Sequence, residues 1–303
     1  MKIGIGSLLV GHPQTTLDAL VGEVRQAESD GFAFFSLPNI FGFDAISALT
    51  VAGRETRRIE LATGVTPTPP RHPFAIAQQA LTAQAACGGR FVLGIGLSHK
   101  VVIENMLGLS YAHPARQMRE YLEVLMPLVQ GKPAAFSGEL YRVNGALQVK
   151  GGTPVPVVVA ALGPKMLELT GRLADGTATW MTGARTLAEH TVPTIRRAAR
   201  EAGRPDPRVI AALPIAITGD ADAARGVANK VFAIYGQLPS YRAMLDREGA
   251  ASPGDVALAG DEAAVRAGLA RLRDAGVTHF AASLFPADAG ALERTRAFLR
   301  DAL

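Results

Sequence analysis

The chain predicts an α/β fold, a (β/α)8 TIM barrel with insertion segments, laid out as one domain over residues 1–303. Three observations lead there. Eight apolar runs of strand length recur along the 303 residues, and helical periodicity lies between them. The runs are near-continuous in apolar character, as expected of strands covered on both faces of a parallel sheet. No shift of composition marks a domain boundary, and repeated β-then-α units without a break close most simply into a barrel.

The strand runs are KIGIGSLL (2–9), FAFFSL (32–37), IELATGV (59–65), RFVLGIG (90–96), VPVVVAA (155–161), GTATWM (176–181), RVIAALPIAI (208–217) and THFAASLF (278–285). The first helix, TTLDALVGEVRQAESDG, places Leu17, Leu20, Val21 and Val24 on one face and stops at Gly31. DAISALTVAGRE follows the second strand. PFAIAQQALTAQAACGG follows the third, with Pro at its start and Gly-Gly at its end, the expected polarity of a helix. PARQMREYLEVLMPLVQG is amphipathic. PKMLELTGRLADG and TLAEHTVPTIRRAAREAG follow strands five and six, DEAAVRAGLARLRDAG precedes strand eight, and ALERTRAFLRDAL comes last.

An open doubly wound sheet is the competing architecture. Its glycine fingerprint is missing: GIGSLL and GIGLSH each begin G-x-G, and neither has the third Gly. Two stretches break the regular pattern. Residues 131–153 read as a β-hairpin with Asn144-Gly145 at its turn. Residues 219–260 are too long for one helix, and their aromatic segment VFAIYGQLPSYRAMLDREG suits either a cover over a site or a packing surface or subunit contact.

Composition narrows the function. The net charge is +4, and the basic residues are mostly Arg scattered over helices. No Lys/Arg run interleaves with aromatics, so a nucleic-acid partner is not expected. No apolar stretch reaches the ~18 residues of a membrane span, and the single cysteine, Cys87, suits a small buried residue in a reducing compartment. The expectation is a cytoplasmic protein without a membrane or nucleic-acid partner.

A barrel works at the C-terminal ends of its strands. Those ends read Ser7; Pro38 and Asn39; Thr63, Gly64, Val65 and Thr66; Gly96, Leu97, Ser98 and His99; Ala160, Ala161, Leu162 and Gly163; and Trp180, Met181, Thr182 and Gly183. Paired carboxylates for hydrolysis are missing, as are a metal-ligand cluster and a strand-end Lys or Glu for aldolase or isomerase chemistry, so no metal is expected. Small residues and backbone donors suit a large flat cofactor that brings its own reactivity. At AALG, residues 160–163, two readings stand: small residues admit a ligand to a helix N-terminus, or a tight βα turn simply needs them.

The segments RHPFAIAQQALTAQAACGGRFVLGIGLSH, PARQMREYLEVLMPLVQG, FSGELY, PVPVVVAALGPKMLELTGRLADG and TWMTG resemble, in that order and across essentially the whole chain, the luciferase-like monooxygenase superfamily. GIGLSH, AALGPKML, TWMTG and YGQLPSYRAMLDREG resemble most its coenzyme F420-dependent oxidoreductases. The resemblance implies a bacterial luciferase-like barrel, usually a homodimer, with a deazaflavin or flavin ring in its mouth. It implies that Ala160, Ala161, Leu162, Gly163, Lys165 and Met166 hold the cofactor phosphate. It also implies a backbone bulge behind the ring, often with a non-proline cis peptide, at Thr63, Gly64 and Val65. Ser7, Asn39, Ser98, His99, Trp180, Met181 and Thr182 complete the candidate cofactor set.

His99 is the candidate catalytic residue, because an imidazole titrates near working pH; a hydrogen bond from His99 to the cofactor is the other reading. Arg71 and His72 read as an ion-pair or helix-cap site, and His113, His190 and His279 as surface or packing residues. His12 could reach the mouth. Sugar-phosphate dehydrogenases of the deazaflavin branch carry an acidic-histidine pair after strand two, where this chain has SLPNIFGF with Asn39. That departure favours reduction of an activated C=C or C=N bond. The expected cofactor is coenzyme F420, with FMN as the alternative. The expected activity is hydride transfer to a small hydrophobic substrate, with an FMN-dependent monooxygenase and a binding protein without turnover as competing functions.

Overall fold

The computed structural model describes residues 1–9 and 14–303; His12 lies outside them. In chain order the elements are β1 (Lys2–Gly6), α1 (Leu17–Ser29), β2 (Phe34–Leu37), α2 (Ala45–Glu55), β3 (Glu60–Thr63), β4 (Thr66–Pro67), α3 (Pro73–Ala86), β5 (Phe91–Gly96), α4 (Pro114–Val129), β6 (Ala134–Ser137), β7 (Arg142–Gly145), β8 (Val157–Ala160), α5 (Pro164–Leu173), β9 (Gly176–Trp180), α6 (Ala184–Thr186), α7 (Val192–Glu201), β10 (Arg208–Ile217), α8 (Ala221–Val231), α9 (Ala233–Gln237), α10 (Pro239–Glu248), β11 (Leu258–Gly260), α11 (Glu262–Asp274), β12 (His279–Leu284) and α12 (Ala291–Asp301). Two π-helical segments, Val101–Met106 and Leu187–Thr191, lie after β5 and between α6 and α7.

Eight parallel strands close the ring in the order β1-β2-β3-β5-β8-β9-β10-β12, with β12 returning to β1. Each of the eight predicted runs supplies one of them. β4 continues the third run beyond a break at Gly64–Val65 and pairs with the far end of β5. β11 extends the sheet beside the end of β10.

Strand side chains alternate in and out with a period of two. The inward set of the lower ring is Phe34, Ala62, Val92, Val158, Ile210 and Ala281, which form one buried cluster. Two residues further along each strand, towards the mouth, the same columns read Ser36, Gly64, Gly94, Ala160, Ala212 and Ser283, with Gly6 on β1 and Trp180 on β9. A plugged lower ring thus sits beneath an upper layer of seven small residues and one tryptophan. The outward set, with Ile5, Phe35, Leu61, Leu93 and Val159, packs under the helices in the main core.

Two expectations need correction. The 131–153 excursion is a hairpin, β6 against β7, but its turn is Gly138–Tyr141, closed by the Gly138 amide donating to the Tyr141 carbonyl at 2.9 Å. Asn144 pairs with Ala135 inside the ladder. The reason is Glu120 of α4, whose side chain is 1% exposed and whose carboxylate accepts from the amides of Glu139, Leu140 and Tyr141 at 3.3, 2.8 and 3.3 Å. A Cβ at position 138 would lie 2.4 Å from Glu120 Oε2, so the turn forms where a glycine leaves room for the carboxylate.

The segment TLAEHTVPTIRRAAREAG is one rod interrupted by the π-helical turn Leu187–Thr191, not a regular helix. Pro193 explains the placement: its ring would meet the carbonyl four residues back in a regular α-helix, and it has no N–H to donate. Two smaller expectations agree with the structure. His72 caps α3 by accepting from the Phe74 amide at 3.2 Å, and Arg71 pairs with Asp44 at 2.9 Å. Cys87 is buried, and burial pushes its thiol up to about 11.

Candidate active site at the barrel mouth

The third strand end carries the bulge. The Gly64–Val65 peptide is cis, and the displaced backbone fits because β5 is glycine-rich opposite it. A Cβ on Gly94 would lie 1.9 Å from the Thr63 carbonyl oxygen, and one on Gly96 would lie 2.9 Å from Val65 Cγ2 and 3.1 Å from Ala160 Cβ. The Thr63 hydroxyl is consumed here, donating to the Gly94 carbonyl at 2.7 Å and accepting from the Gly94 amide at 2.8 Å. Val65 and Ala160 therefore meet at the mouth over a floor of glycines.

The fifth strand end opens onto α5. Gly163 is the N-cap in extended geometry (φ −76°, ψ 155°), Pro164 occupies the first turn, and no side chain caps the helix. Leu167 donates to Gly163, the first bond of the helix. Among the described residues the amides of Gly163, Lys165 and Met166 have no hydrogen-bond partner, and Lys165 is exposed without an ion pair. Ala161 is fully buried, so only its backbone can face a ligand. The adjacent Leu162 carbonyl accepts from His190 Nε2 at 2.9 Å. His190, read from sequence as a surface or packing residue, is buried and tied to the candidate phosphate loop. Pro193 hinted at an irregular helix nearby, but no sequence signal linked residues 190 and 162.

The sixth strand end presents Trp180 on the inner face of the ring. Met181 has φ +54° and is fully buried, and Thr182 is buried with its hydroxyl on the Trp180 carbonyl at 3.3 Å, so these two shape the turn. The indole Nε1 of Trp180 is buried and has no hydrogen-bond partner. It faces the Tyr235 hydroxyl, where it partly offsets the burial that raises that phenol, in a contact outside full hydrogen-bond geometry. A buried donor left unmatched costs about 1–3 kcal/mol, which a ligand acceptor would relieve.

The 219–260 insertion roofs this mouth. Phe232 and Tyr235 pack edge-on against Trp180 at 5.6 Å each, Tyr235 against Tyr241 at 5.2 Å, and Tyr241 against His99 at 5.7 Å. This arc carries no carboxylate, lysine or arginine. Burial pushes the Tyr235 and Tyr241 phenols up and the His99 imidazole down, so at neutral pH the wall is uncharged.

His99 follows Ser98, which is left-handed at φ +60° and whose carbonyl accepts from the Tyr111 hydroxyl at 3.1 Å. The His99 carbonyl accepts from Val102 and Ile103, starting the π-helical segment. Ser7 turns its hydroxyl away from the ring to Glu23 at 2.6 Å, and Leu8 donates to the same carboxylate. Asn39 spends its amide oxygen on the Ala45 amide at 2.9 Å, at the start of α2. Thus the mouth gathers Gly64, Val65, Ala160, Trp180 and His99. The side chains of Ser7, Asn39, Thr63, Met181 and Thr182 make structural bonds or pack in the core. His279 lies at the other end of the ring against Phe34.

A family model described as luciferase-like monooxygenase matches residues 1–283. The chain belongs to the luciferase-like monooxygenase family. The 5,10-methylenetetrahydromethanopterin reductase of Archaeoglobus fulgidus is 38% identical over 161 residues, which cover 50% of this chain and 46% of that protein. The F420-dependent glucose-6-phosphate dehydrogenase of Nakamurella multipartita is 32% identical over 190 residues, covering 61% and 56%. The match therefore spans about half the length of these relatives. The solved coenzyme F420-dependent tetrahydromethanopterin reductase of Methanopyrus kandleri superposes with a TM-score of 0.81 at 24% identity, covering 99% of this chain and 97% of that one. An F420-dependent secondary alcohol dehydrogenase superposes with a TM-score of 0.79 at 21% identity, covering 100% and 98%. Both superpositions bear on the fold, a TIM barrel of the luciferase-like kind.

Proposed function

We propose that this luciferase-like protein is a coenzyme F420-dependent oxidoreductase that transfers a hydride between the deazaflavin and a neutral, hydrophobic organic molecule, reducing an activated C=C or C=N bond. The observation that carries the reading is the upper layer of the ring: seven small residues line it, and the one large residue, Trp180, carries a buried N–H without a hydrogen-bond partner. The residues fit a planar ring with polar edges and an anionic tail. The F420-dependent glucose-6-phosphate dehydrogenase among the relatives supports the choice of cofactor.

When bound, the deazaflavin supplies the hydride chemistry. The chain supplies position and protons. Val65 and the bulge would back one face of the ring, and the Gly163, Lys165 and Met166 amides with the Lys165 ammonium would balance an anionic tail. The aromatic arc excludes water and offers an apolar face to the acceptor. His99 is the proton-handling group at the edge of that arc. The stretch SLPNIFGF after β2 carries no ionisable side chain, Asn39 accepts from the Ala45 amide, and the Asp44 beyond it caps α2 and pairs with Arg71; this favours reduction over base-driven alcohol oxidation.

Trp180 is the only tryptophan of the chain, so tryptophan fluorescence, excited selectively over the tyrosines, reports on the mouth. Titration with F420 and, in parallel, FMN should quench it saturably, with F420 binding more tightly. Reduced F420 should then be oxidised by members of an enone and imine panel. Quenching by FMN alone, or rapid oxygen consumption by the loaded protein, would overturn this assignment.

A further inference from the structure

His190 occupies the π-helical turn Leu187–Thr191 and is 9% exposed. A π turn changes the phase of the helix, and it decides which residue of the rod faces the β8–α5 connection; such turns recur at functional sites. Here the residue that faces it is His190, and its Nε2–H donates to the Leu162 carbonyl at 2.9 Å across 28 positions of sequence. In a trans peptide the C=O and the following N–H point in opposite directions. Pinning the Leu162 carbonyl towards His190 therefore aims the Gly163 N–H away from it. The Gly163 amide is one of the three without a partner at the start of α5. Gly163 itself is open, with nothing within 4 Å of where a Cβ would stand.

We propose that His190 is a positioning residue for an anion seat: by holding the Leu162–Gly163 peptide plane it directs the Gly163 amide, beside the helix-start amides of Lys165 and Met166, at a phosphate group of the ligand. The proposal rests on the F420 reading for the identity of that ligand. The peptide-plane geometry itself belongs to the protein alone.

The test compares two ligands and two variants. F420 carries the phosphate tail, and its riboside precursor carries the same ring without it. His190→Leu removes the donor, and His190→Gln places a side-chain N–H near the ring Nε2 position. Thermal unfolding checks that both variants are folded. His190→Leu should bind F420 about tenfold or more weakly, the scale of losing one charge-assisted hydrogen bond, while its affinity for the riboside stays within about twofold. His190→Gln should recover most of the F420 affinity. Equal weakening for both ligands would reduce His190 to a structural residue, and no weakening would remove the role altogether.

Should the wild type bind neither deazaflavin, the F420 reading fails, and the seat is tested with inorganic phosphate on 15N-labelled protein. A shift of the Gly163 amide in wild type that vanishes in His190→Leu sustains the positioning role; a Gly163 amide that does not respond in wild type, or that responds equally in the variant, overturns it.

Discussion

Replacing Gly163 with Asp should separate cofactor binding from folding. The site has room, since nothing lies within 4 Å of the new Cβ, and φ −76° suits any residue. Asp is a better N-cap than Gly by a few tenths of a kcal/mol, so α5 should gain slightly in stability. The new carboxylate would compete with a bound phosphate for the free amides at the helix start. It would also repel the phosphate: two unit charges about 5 Å apart interact by about 3 kcal/mol at an effective dielectric of about 20. Position 163 is exposed, so solvent reduces this to about 1–2 kcal/mol. F420 should therefore bind about 5- to 30-fold more weakly, measured by quenching of Trp180, with a smaller deficit in high salt. Gly163→Asn, a cap without charge, should lose much less. A folded Gly163→Asp protein with wild-type affinity at low salt would refute the phosphate seat at α5.

Three further outcomes are expected. His99→Asn should slow oxidation of reduced F420 by a responsive enone or imine about 100-fold or more while changing F420 affinity less than threefold; a loss confined to affinity would make His99 a cofactor ligand. His279, buried near Arg208, Lys2 and the chain N-terminus, is pushed down from its ordinary 6.5 to about 4, with burial the largest cause. The unfolded chain therefore binds more protons there, and stability present above about pH 6.5 should fall by up to about 3 kcal/mol on the way to pH 4. His279→Phe should flatten that slope in pH-dependent thermal unfolding, and an unchanged slope would contradict the assignment. Glu120 is held below the usual carboxylate range, chiefly by the Leu140 amide, so its contribution is present at neutral pH and lost as pH falls through that lowered value. Glu120→Gln should lower the melting temperature at pH 7 and loosen the 134–145 hairpin, read by hydrogen exchange at Glu139–Tyr141.

The sequence by itself determined the ring. Near-continuous apolar runs can be buried on both faces only in a parallel sheet under helices, and each run became one strand at close to its expected limits. The strand-end rule then placed Gly64, Val65, Ala160, Gly163, Trp180 and His99 around the mouth, and GIG in β5 could have signalled room for the bulge. Tertiary structure decided which of those side chains were free. Ser7, Asn39 and Thr63 carry hydroxyls or an amide suited to a ligand, yet partners distant in sequence or around a turn occupy them: Glu23, the Ala45 amide and Gly94. The same holds for what the sequence missed. Glu120 moved a turn from Asn144-Gly145 to Gly138–Tyr141, a π turn aimed His190 at Leu162, and the insertion closed its tyrosines over Trp180 and His99. Periodicity reports whether a residue faces the core or the solvent, because burial repeats with the local backbone. A hydrogen bond between residues 28 or 31 positions apart has no period, and only the closed barrel brings its ends together.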